Sequence, residues 1–285
     1  MHDPAPSRTA LGAAAYRAAH QILDRPVVFA DPLAIAILGD DGDGAAALAR
    51  QLDPDEAQSW RRMRAFIAAR SRLTEEALGE ATASGVDQFV VLGAGLDTFA
   101  YRNPYSPRLA VFEVDHPATQ AFKRAQLKAA GIDVPPSLTF VPVDFQRESL
   151  LTALRTAGFR REKPALFSWL GTTMYLDRDG VLATLAAVAR GAGPGTKLIF
   201  DYVRPPTSVD APVRPRYQAL IERLAAIGEP WRSFFDPHEL DAALRGAGFT
   251  EIRDWDQAAL NARYFAGRAD GLEVGPTAHL IEAWI

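Results

Sequence analysis

The sequence predicts an α/β fold, a doubly wound parallel sheet preceded by helices, and three observations support this. An apolar run at 88–92 stops at Gly93-Ala94-Gly95, as buried strands do where the chain turns into a helix. A second apolar run at 109–114 leads directly into Asp115. Short apolar runs then alternate with helical patterns as far as residue 202. This alternation is typical of a parallel sheet covered by helices on both faces.

Residues 1–85 contain no strand pattern and predict an N-terminal helical extension. Residues 1–8 are polar and proline-rich, so we expect them to be disordered. Helices are expected at 9–23 and 60–78, the second with one apolar face. Asp31 and Pro32 are suited to cap and begin a further helix. The Gly- and Asp-rich segment 39–44 is expected to be a loop.

Residues 86–285 are expected to form the second unit, which holds the sheet. The irregular stretch 205–215 is long enough for a functional cover, and the region near 203–235 is interpreted as a substrate-side insertion. The predicted strands are 88–92, 109–114, 138–143, 165–169, 196–202, 249–255 and 277–285. The first predicted helix of this unit begins at about 97 and ends before 103. The others are predicted at 116–131, 146–156, 179–189, 216–227 and 236–246.

Composition excludes several classes of function. The chain has 285 residues, a net charge of −4 and no long basic cluster, which argues against nucleic acid or an anionic membrane as partner. The absence of cysteine excludes disulfides, thiolate nucleophiles and iron–sulfur clusters, and the five histidines lack zinc-ligand spacing. The first residues contain no apolar segment of the kind a secretory signal needs, so we expect none there, and no apolar run approaches the length of a membrane span. We therefore expect a cytoplasmic protein with a small-molecule partner and no metal, in an oligomeric state that the sequence does not indicate.

The glycine turn indicates a nucleotide or nucleoside site. Glycines after a buried strand let the backbone approach a ligand closely, and an acid-tipped strand follows twenty residues on. A dinucleotide site would place Gly or Ala where this chain has Thr98, and Asp97 would repel a pyrophosphate. S-adenosyl-L-methionine, a nucleoside without phosphates, fits better. Asp97 can then hold its ammonium group, or it is simply a first-turn acid favoured by the helix dipole.

Further candidate residues lie at strand ends, where ligands of such sheets bind. Asp115 can accept hydrogen bonds from both ribose hydroxyls, although it is also placed as the N-cap of the next helix. Asp144 can accept a hydrogen bond from the adenine amino group while Phe145 packs on the base, and an N-cap is again the alternative. Arg70 can reach the cofactor carboxylate, or it is a solvated helix arginine.

The segment that follows the fourth strand, 168–176, contains apolar and small residues. Such a wall suits the sulfonium methyl group and an aromatic or acyl acceptor, although part of the segment must pack in the core. Leu170 belongs to this wall, and Tyr175 is the residue we expect to touch the acceptor, through its hydroxyl.

Several motifs are specific enough to indicate a family. They are Val91-Leu92-Gly93-Ala94-Gly95-Leu96-Asp97-Thr98-Phe99-Ala100-Tyr101-Arg102; Phe112-Glu113-Val114-Asp115-His116-Pro117 with Phe122-Lys123; Phe167-Ser168-Trp169-Leu170-Gly171 with Tyr175-Leu176; and Arg263-Tyr264-Phe265-Ala266-Gly267-Arg268 with Asp270-Gly271-Leu272. The chain resembles the leucine carboxyl methyltransferase superfamily over essentially its whole length. Within that superfamily it is most similar to bacterial O-methyltransferases associated with polyketide biosynthesis.

The resemblance implies a class I methyltransferase fold, a Rossmann-like, seven-stranded, mostly parallel sheet with a reversed final hairpin and a lid of N-terminal helices. It also implies roles for individual residues: Arg70 for the cofactor carboxylate, Gly93 for the methionine part, Asp115 for ribose, and Asp144 with Phe145 for adenine. The other members of the predicted cofactor set are Ala94, Gly95, Asp97, His116 and Leu170. Many relatives carry glutamate where this chain has Leu170, so the function of that glutamate is not carried over.

The expected reaction is methyl transfer from sulfonium to an acceptor oxygen by in-line displacement, with positioning contributing up to roughly 7–11 kcal/mol. A carboxylate acceptor is favoured because it is already ionised near neutral pH and needs no general base. A phenol is the second acceptor class, for which His116, Tyr175 or His238 would be candidates to assist. The acceptor is expected to be a small, polyketide-like molecule.

Two other functions share parts of this pattern. An NAD-dependent oxidoreductase has the same strand, glycine turn and acid, although Thr98 and the acid after the third strand argue against it. A non-catalytic S-adenosylmethionine-binding protein is the other alternative, because Leu170 replaces the family glutamate.

Overall fold

Seven strands form one sheet in the order β3-β2-β1-β4-β5-β7-β6. The computed structural model describes residues 8–39, 54–144, 148–226 and 228–285. Neighbouring strands from β3 to β5 are parallel, whereas β7 runs antiparallel to both β5 and β6. The strands are Gln88–Leu92 (β1), Ala110–Asp115 (β2), Leu138–Pro142 (β3), Leu166–Trp169 (β4), Lys197–Val203 (β5), Glu251–Trp255 (β6) and Ala278–Trp284 (β7). The predicted seven-stranded, mostly parallel sheet with a reversed final hairpin is confirmed.

Helices cover both faces of this sheet. They are Arg8–Leu23 (α1), Pro54–Ala83 (α2), Pro117–Ala129 (α3), Leu150–Thr156 (α4), Arg178–Gly191 (α5), Arg214–Ala226 (α6), Pro237–Ala247 (α7) and Gln257–Tyr264 (α8). One apolar core joins the sheet to α2 and α8, and a second joins its other face to α4, α5 and α7. Every residue of β1 is buried, which explains its uninterrupted apolar character.

The N-terminal helices pack on each other and on the sheet. Ala18 and Ala19 of α1 share a buried cluster with Trp60 of α2. Ala14 of α1 packs with Leu96, next to the glycine turn. Because α1 contacts both α2 and the turn region, the N-terminal helices lie beside the carboxyl ends of the strands.

A buried polar network holds the chain between α1 and α2. The Nε2 atom of His20 accepts hydrogen bonds from the backbone N–H groups of Val28 and Phe29, at 3.0 and 3.1 Å. The ring proton therefore lies on Nδ1 and is donated to Asp24, 2.7 Å away. Arg64 of α2 donates two further hydrogen bonds to Asp24, at 2.7 and 2.8 Å. Burial alone would raise the pKa of Asp24, but the hydrogen bonds from Arg64 and His20 outweigh it and lower the pKa to about 2.

Several predicted elements differ from the structure. The helix expected after Asp31 is wrong: the chain there makes a turn followed by a short 3-10 helix, Ala36–Leu38. The helix expected from about Asp97 is only the 3-10 helix Phe99–Arg102. The N-terminal helix begins at Arg8, α2 extends beyond 60–78 in both directions, and α8 was not predicted. The stretch 205–215 contains the 3-10 helix Pro206–Ser208 and the start of α6, so it is not wholly irregular.

Some predictions concern residues outside the described ranges. They are the disorder of residues 1–7, most of the loop at 39–44, and the first residues of the helix expected at 146–156. Within the described ranges, no helix combines the length and the apolar character needed to cross a membrane.

Candidate active site

A cavity of about 240 Å³ lies at the carboxyl ends of β1, β2 and β4. Its floor is the glycine turn and the ends of these strands, and α1 and α2 contribute further walls. Eight of the predicted site residues line it: Arg70, Gly93, Ala94, Gly95, Asp97, Asp115, Leu170 and Tyr175. Most of the predicted site residues therefore surround this cavity.

The glycine turn brings backbone close to the segment that follows β4. Gly93 has a φ of 63°, in the left-handed region that favours glycine. A Cβ atom at Gly93 would also clash with the Oγ1 atom of Thr172. The N–H groups of Gly93 and Ala94 both donate to the carbonyl of Val114, at 2.8 and 3.2 Å. These bonds tie the turn to the end of β2.

Asp115 binds the backbone of the glycine turn. Its Oδ2 atom accepts a hydrogen bond from the N–H of Gly95 at 2.6 Å, and its Oδ1 atom accepts one from the N–H of His116 at 2.7 Å. Burial raises the pKa of this carboxyl group despite these bonds. The prediction that Asp115 caps α3 is wrong, because the cap is His116, whose Nδ1 atom accepts from the N–H of Ala118. Each Asp115 oxygen retains a lone pair for a ligand hydroxyl.

Two acids contribute negative charge beside the turn. Glu75 of α2 is paired with Arg102, which donates to both of its carboxylate oxygens. Asp97 accepts a hydrogen bond from the N–H of Phe99 at 2.9 Å and forms no ion pair with any residue of the described ranges. The charge of Asp97 is therefore available to a bound cation, and its role in holding the ammonium group stays a prediction.

The two arginines that line the cavity among the described residues are neutralised by buried aspartates. Arg17 of α1 donates to Asp31 at 2.6 Å, and Arg70 of α2 donates to Asp201 of β5 at 2.5 Å. The Arg70 guanidinium lies against Gly171, where a Cβ atom would be 2.9 Å from Nη2. Asp201 also accepts from the N–H of Gly171, at 2.6 Å. Arg70 is therefore a buried, fixed arginine, and the alternative of a solvated helix arginine is wrong.

Asp31 joins the N-terminal segment to the glycine turn. It is buried and binds Arg17 on α1, and its Oδ2 atom also accepts a hydrogen bond from the hydroxyl of Thr98 at 2.7 Å. Arg102 lies 3.4 Å from its Oδ1 atom. Arg17 in turn donates to the carbonyl of Leu96 at 2.6 Å. Three segments distant in sequence thus meet at one carboxylate.

Leu170, Tyr175 and Glu229 also line the cavity. Leu170 and Tyr175 follow β4, which lies across β1 from Asp115 at the end of β2, and we call this the far side of the cavity. Tyr175 ends the 3-10 helix Thr173–Tyr175 and is partly buried. Burial raises the pKa of its hydroxyl, and the negative charge of Glu229 raises it further. The Tyr175 hydroxyl therefore stays protonated near neutral pH, where it can donate a hydrogen bond but is not a proton acceptor of useful strength.

Two predicted site residues of the described ranges, His116 and Asp144, do not line the cavity. His116 is exposed and caps α3, so the cofactor role predicted for it has no support in its position. Asp144 follows β3, outside the described lining, and its adenine role stays a prediction. Phe145 lies outside the described residues. His238, one of the residues considered for a phenol acceptor, lies in the first turn of α7 and also away from the cavity.

Comparison with known proteins agrees with this geometry. The family model for leucine carboxyl methyltransferase matches residues 10–189. The chain belongs to the leucine carboxyl methyltransferase family. It is 31% identical to YktD of Bacillus subtilis over 97% of both chains, and 32% identical to a Mycobacterium tuberculosis protein over 90% of this chain and 69% of the relative. Both relatives are assigned by name to the S-adenosyl-L-methionine-dependent methyltransferases.

Solved structures support the fold. A methyltransferase-assigned protein from Thermobifida fusca superposes with a TM-score of 0.57 and 20% identity, covering 87% of this chain and 91% of that one. A DUF574-family protein from Streptomyces avermitilis superposes with a TM-score of 0.58 and 14% identity, covering 96% of both. At these identities the likeness concerns the fold alone.

Membership of the leucine carboxyl methyltransferase family confirms S-adenosyl-L-methionine as the predicted cofactor. The residues present fit it. Asp115 offers oxygens to ribose, Asp97 offers an unpaired charge to the ammonium group, and the glycine turn leaves space for close approach. Membership of this family argues against the oxidoreductase alternative.

The sequence analysis missed several residues of the site. Asp201 had a visible signal, since it is a lone acid within the apolar strand β5. Arg17 and Glu75 had none beyond their positions on amphipathic helices. Glu229 belongs to the predicted insertion near 203–235, but no local pattern distinguishes it from the other acids of that region.

Proposed function

We propose that this methyltransferase transfers the methyl group of S-adenosyl-L-methionine to an oxygen atom of a small-molecule acceptor. The observation that carries this proposal is the shape of the cavity. Residues of helices α1 and α2, together with Glu229, line the cavity at the strand ends, and its volume is about 240 Å³. A cavity bounded in this way suits a small acceptor better than a folded protein.

The choice of oxygen is supported by the family and by the residues at the far side. The family takes its name from the methylation of a carboxyl group, and a carboxylate needs no base. Tyr175 presents a protonated hydroxyl there, which can donate a hydrogen bond to either a carboxylate or a phenol. We propose that Tyr175 touches the acceptor and that Leu170 forms the apolar wall beside the reacting methyl group.

The remaining residues would hold the cofactor in line with the acceptor. Asp115 would bind the ribose, Asp97 the ammonium group and Arg70 the carboxylate, while Gly93 allows the methionine part to lie close to the backbone. Positioning of this kind accounts for up to roughly 7–11 kcal/mol of the barrier to reaction. The motifs in 167–176 and 263–272 support an acceptor that resembles a polyketide.

The experiment is a transfer assay with S-adenosyl-L-methionine carrying a labelled methyl group and a panel of small carboxylic acids and phenols. Methylated products would be separated, identified by mass, and treated with base, which hydrolyses methyl esters but leaves aryl methyl ethers intact. Label in an ester or an ether supports the proposal. Label only on nitrogen or carbon would refute transfer to oxygen. Cofactor binding without any transfer would support the non-catalytic alternative.

A further inference from the structure

The far side of the cavity carries an acid that forms no ion pair with any residue the structure describes. Among those residues, four carboxylates line the cavity, namely Glu75, Asp97, Asp115 and Glu229. Glu75 is paired with Arg102, while Asp97 and Asp115 lie at the glycine turn and the end of β2, on the cofactor side. Glu229 lines the cavity beside Tyr175, and within the described ranges its carboxylate has no hydrogen bond or ion pair.

Hydrogen bonds hold the chain that follows Glu229 against the 3-10 helix that ends at Tyr175. The N–H of Arg232 donates to the carbonyl of Met174 at 2.7 Å, and the hydroxyl of Ser233 donates to the carbonyl of Thr173 at 2.9 Å. Trp231 packs between the rings of Tyr217 and Phe234, with centroids 6.0 and 6.3 Å away.

This arrangement separates the cavity into two sides. Asp115 marks the end of β2, whereas Tyr175 follows β4, on the other side of β1 in the sheet. A nucleoside held by Asp115 and the glycine turn leaves the region of Tyr175 and Glu229 for the acceptor. An acceptor there meets one hydroxyl that can donate a hydrogen bond and one carboxylate that can only accept one.

We propose that Glu229 receives the proton of the acceptor, and that together with Tyr175 it selects a hydroxyl acceptor over a carboxylate. This inference rests on the proposed function and narrows its acceptor class. It reverses the preference for a carboxylate that the sequence suggested. A carboxylate acceptor would be repelled by Glu229, and the two arginines among the described lining residues, Arg17 and Arg70, are already paired with aspartates.

The proton and the electrons balance in this step. The acceptor oxygen forms a bond to the methyl carbon as the carbon–sulfur bond breaks, and that bonding pair stays on sulfur, which becomes a neutral thioether. The oxygen becomes more positive as its new bond forms, so its proton becomes far more acidic than in the free hydroxyl. The Glu229 carboxylate accepts the proton at that stage and later releases it to solvent.

The test compares two probes that share a ring system, 2-naphthol and 2-naphthoate, with Glu229→Gln as the variant. Their affinities are measured by calorimetry on protein saturated with S-adenosylhomocysteine. We expect the wild-type protein to bind 2-naphthol at least tenfold more tightly. In Glu229→Gln, 2-naphthoate should bind at least tenfold more tightly than to wild type, and methyl transfer to 2-naphthol should fall by about 10²-fold or more.

Two controls isolate the effect. Glu222→Gln removes an exposed carboxylate from α6, outside the cavity, and should change neither affinity nor transfer. Affinity for S-adenosylhomocysteine itself should change less than about threefold in Glu229→Gln, because the residues predicted to hold the cofactor are all retained.

Three outcomes would overturn the inference: equal or tighter binding of 2-naphthoate by the wild type, an unchanged preference in folded Glu229→Gln, or no binding of either probe. These differ from failure of the proposed function. If carboxylic acids are methylated and Glu229→Gln leaves the rate unchanged, transfer to oxygen stands and the role of Glu229 is wrong. If no oxygen is methylated in the wider panel, both are wrong.

Discussion

Substitution of Asp201 by asparagine should destabilise the protein strongly. Asp201 does not line the cavity itself but binds Arg70 and Gly171, which do. The side chain of Asp201 is fully buried and that of Arg70 is 10% exposed, so water screens this ion pair very little. Asparagine can still accept the hydrogen bond from Gly171, but it leaves the Arg70 charge buried without a partner. Removing one member of a buried ion pair costs about 3–5 kcal/mol.

The expected change in melting temperature follows from the size of the chain. An unfolding entropy of about 2.1 cal/mol/K per residue gives roughly 0.6 kcal/mol/K for 285 residues. Division of the expected loss by this value gives a decrease in Tm of about 5–8 °C for Asp201→Asn. Thermal unfolding followed by circular dichroism measures it. Asp241→Asn, which breaks an exposed pair with Arg245, is the matched control and should lower Tm by less than about 2 °C.

A double variant separates stability from cofactor binding. Arg70→Met/Asp201→Leu replaces both charges by apolar groups and should recover much of the stability lost in Asp201→Asn. If Arg70 holds the cofactor carboxylate, this folded double variant should bind S-adenosylhomocysteine at least tenfold more weakly than the wild type. A loss of less than about 2 °C in Asp201→Asn would refute the reasoning that the pair is buried and unscreened.

Three further predictions test other parts of the structure. Gly93→Ala should abolish cofactor binding measured by calorimetry. Adding Thr172→Ala to that variant should restore only part of the binding, because it removes the clash with the Thr172 hydroxyl but not the backbone strain at positive φ. Full restoration would show that the φ of residue 93 is unimportant. Asp115→Ala should weaken cofactor affinity at least tenfold in a folded protein, and an unchanged affinity would reject the ribose assignment. The folded pKa of Asp24, about 2, lies below its ordinary 3.8, so its contribution is complete above about pH 4 and is lost as pH falls towards 2. It amounts to roughly 2–3 kcal/mol, and denaturation of Asp24→Asn at several pH values should show a correspondingly flatter acid dependence.

The sheet was predictable because its determinants are local. The strand β1 is buried along its whole length, so its apolar run and the glycines that end it stand out in the sequence. The end of β2 is equally visible in the sequence, because its apolar run stops at the charged residue Asp115. By contrast, α8 contributes a single fully buried residue, Leu260, and a helix with so narrow an apolar face leaves little periodic signal.

The site was predictable only in part because its charges are paired across the fold. Local rules suggest an N-cap at Asp31, and they cannot show that Arg17 and Thr98 reach the same carboxylate from other segments. For the same reason the pairing of Arg70 with Asp201 is invisible until α2 is packed on β5. Glu229 reaches the cavity only because the chain after it is bound to the 3-10 helix that carries Tyr175.

The meeting of Arg17, Thr98 and Arg102 at Asp31 has a thermodynamic consequence. Docking of α1 and ordering of the glycine turn share one anchor, so each favours the other, and the coupling must be equal in both directions. A ligand that orders the turn will therefore slow amide hydrogen exchange in α1, far from its own contacts. Any change that weakens the packing of α1 will in turn lower the affinity of the glycine turn for its ligand.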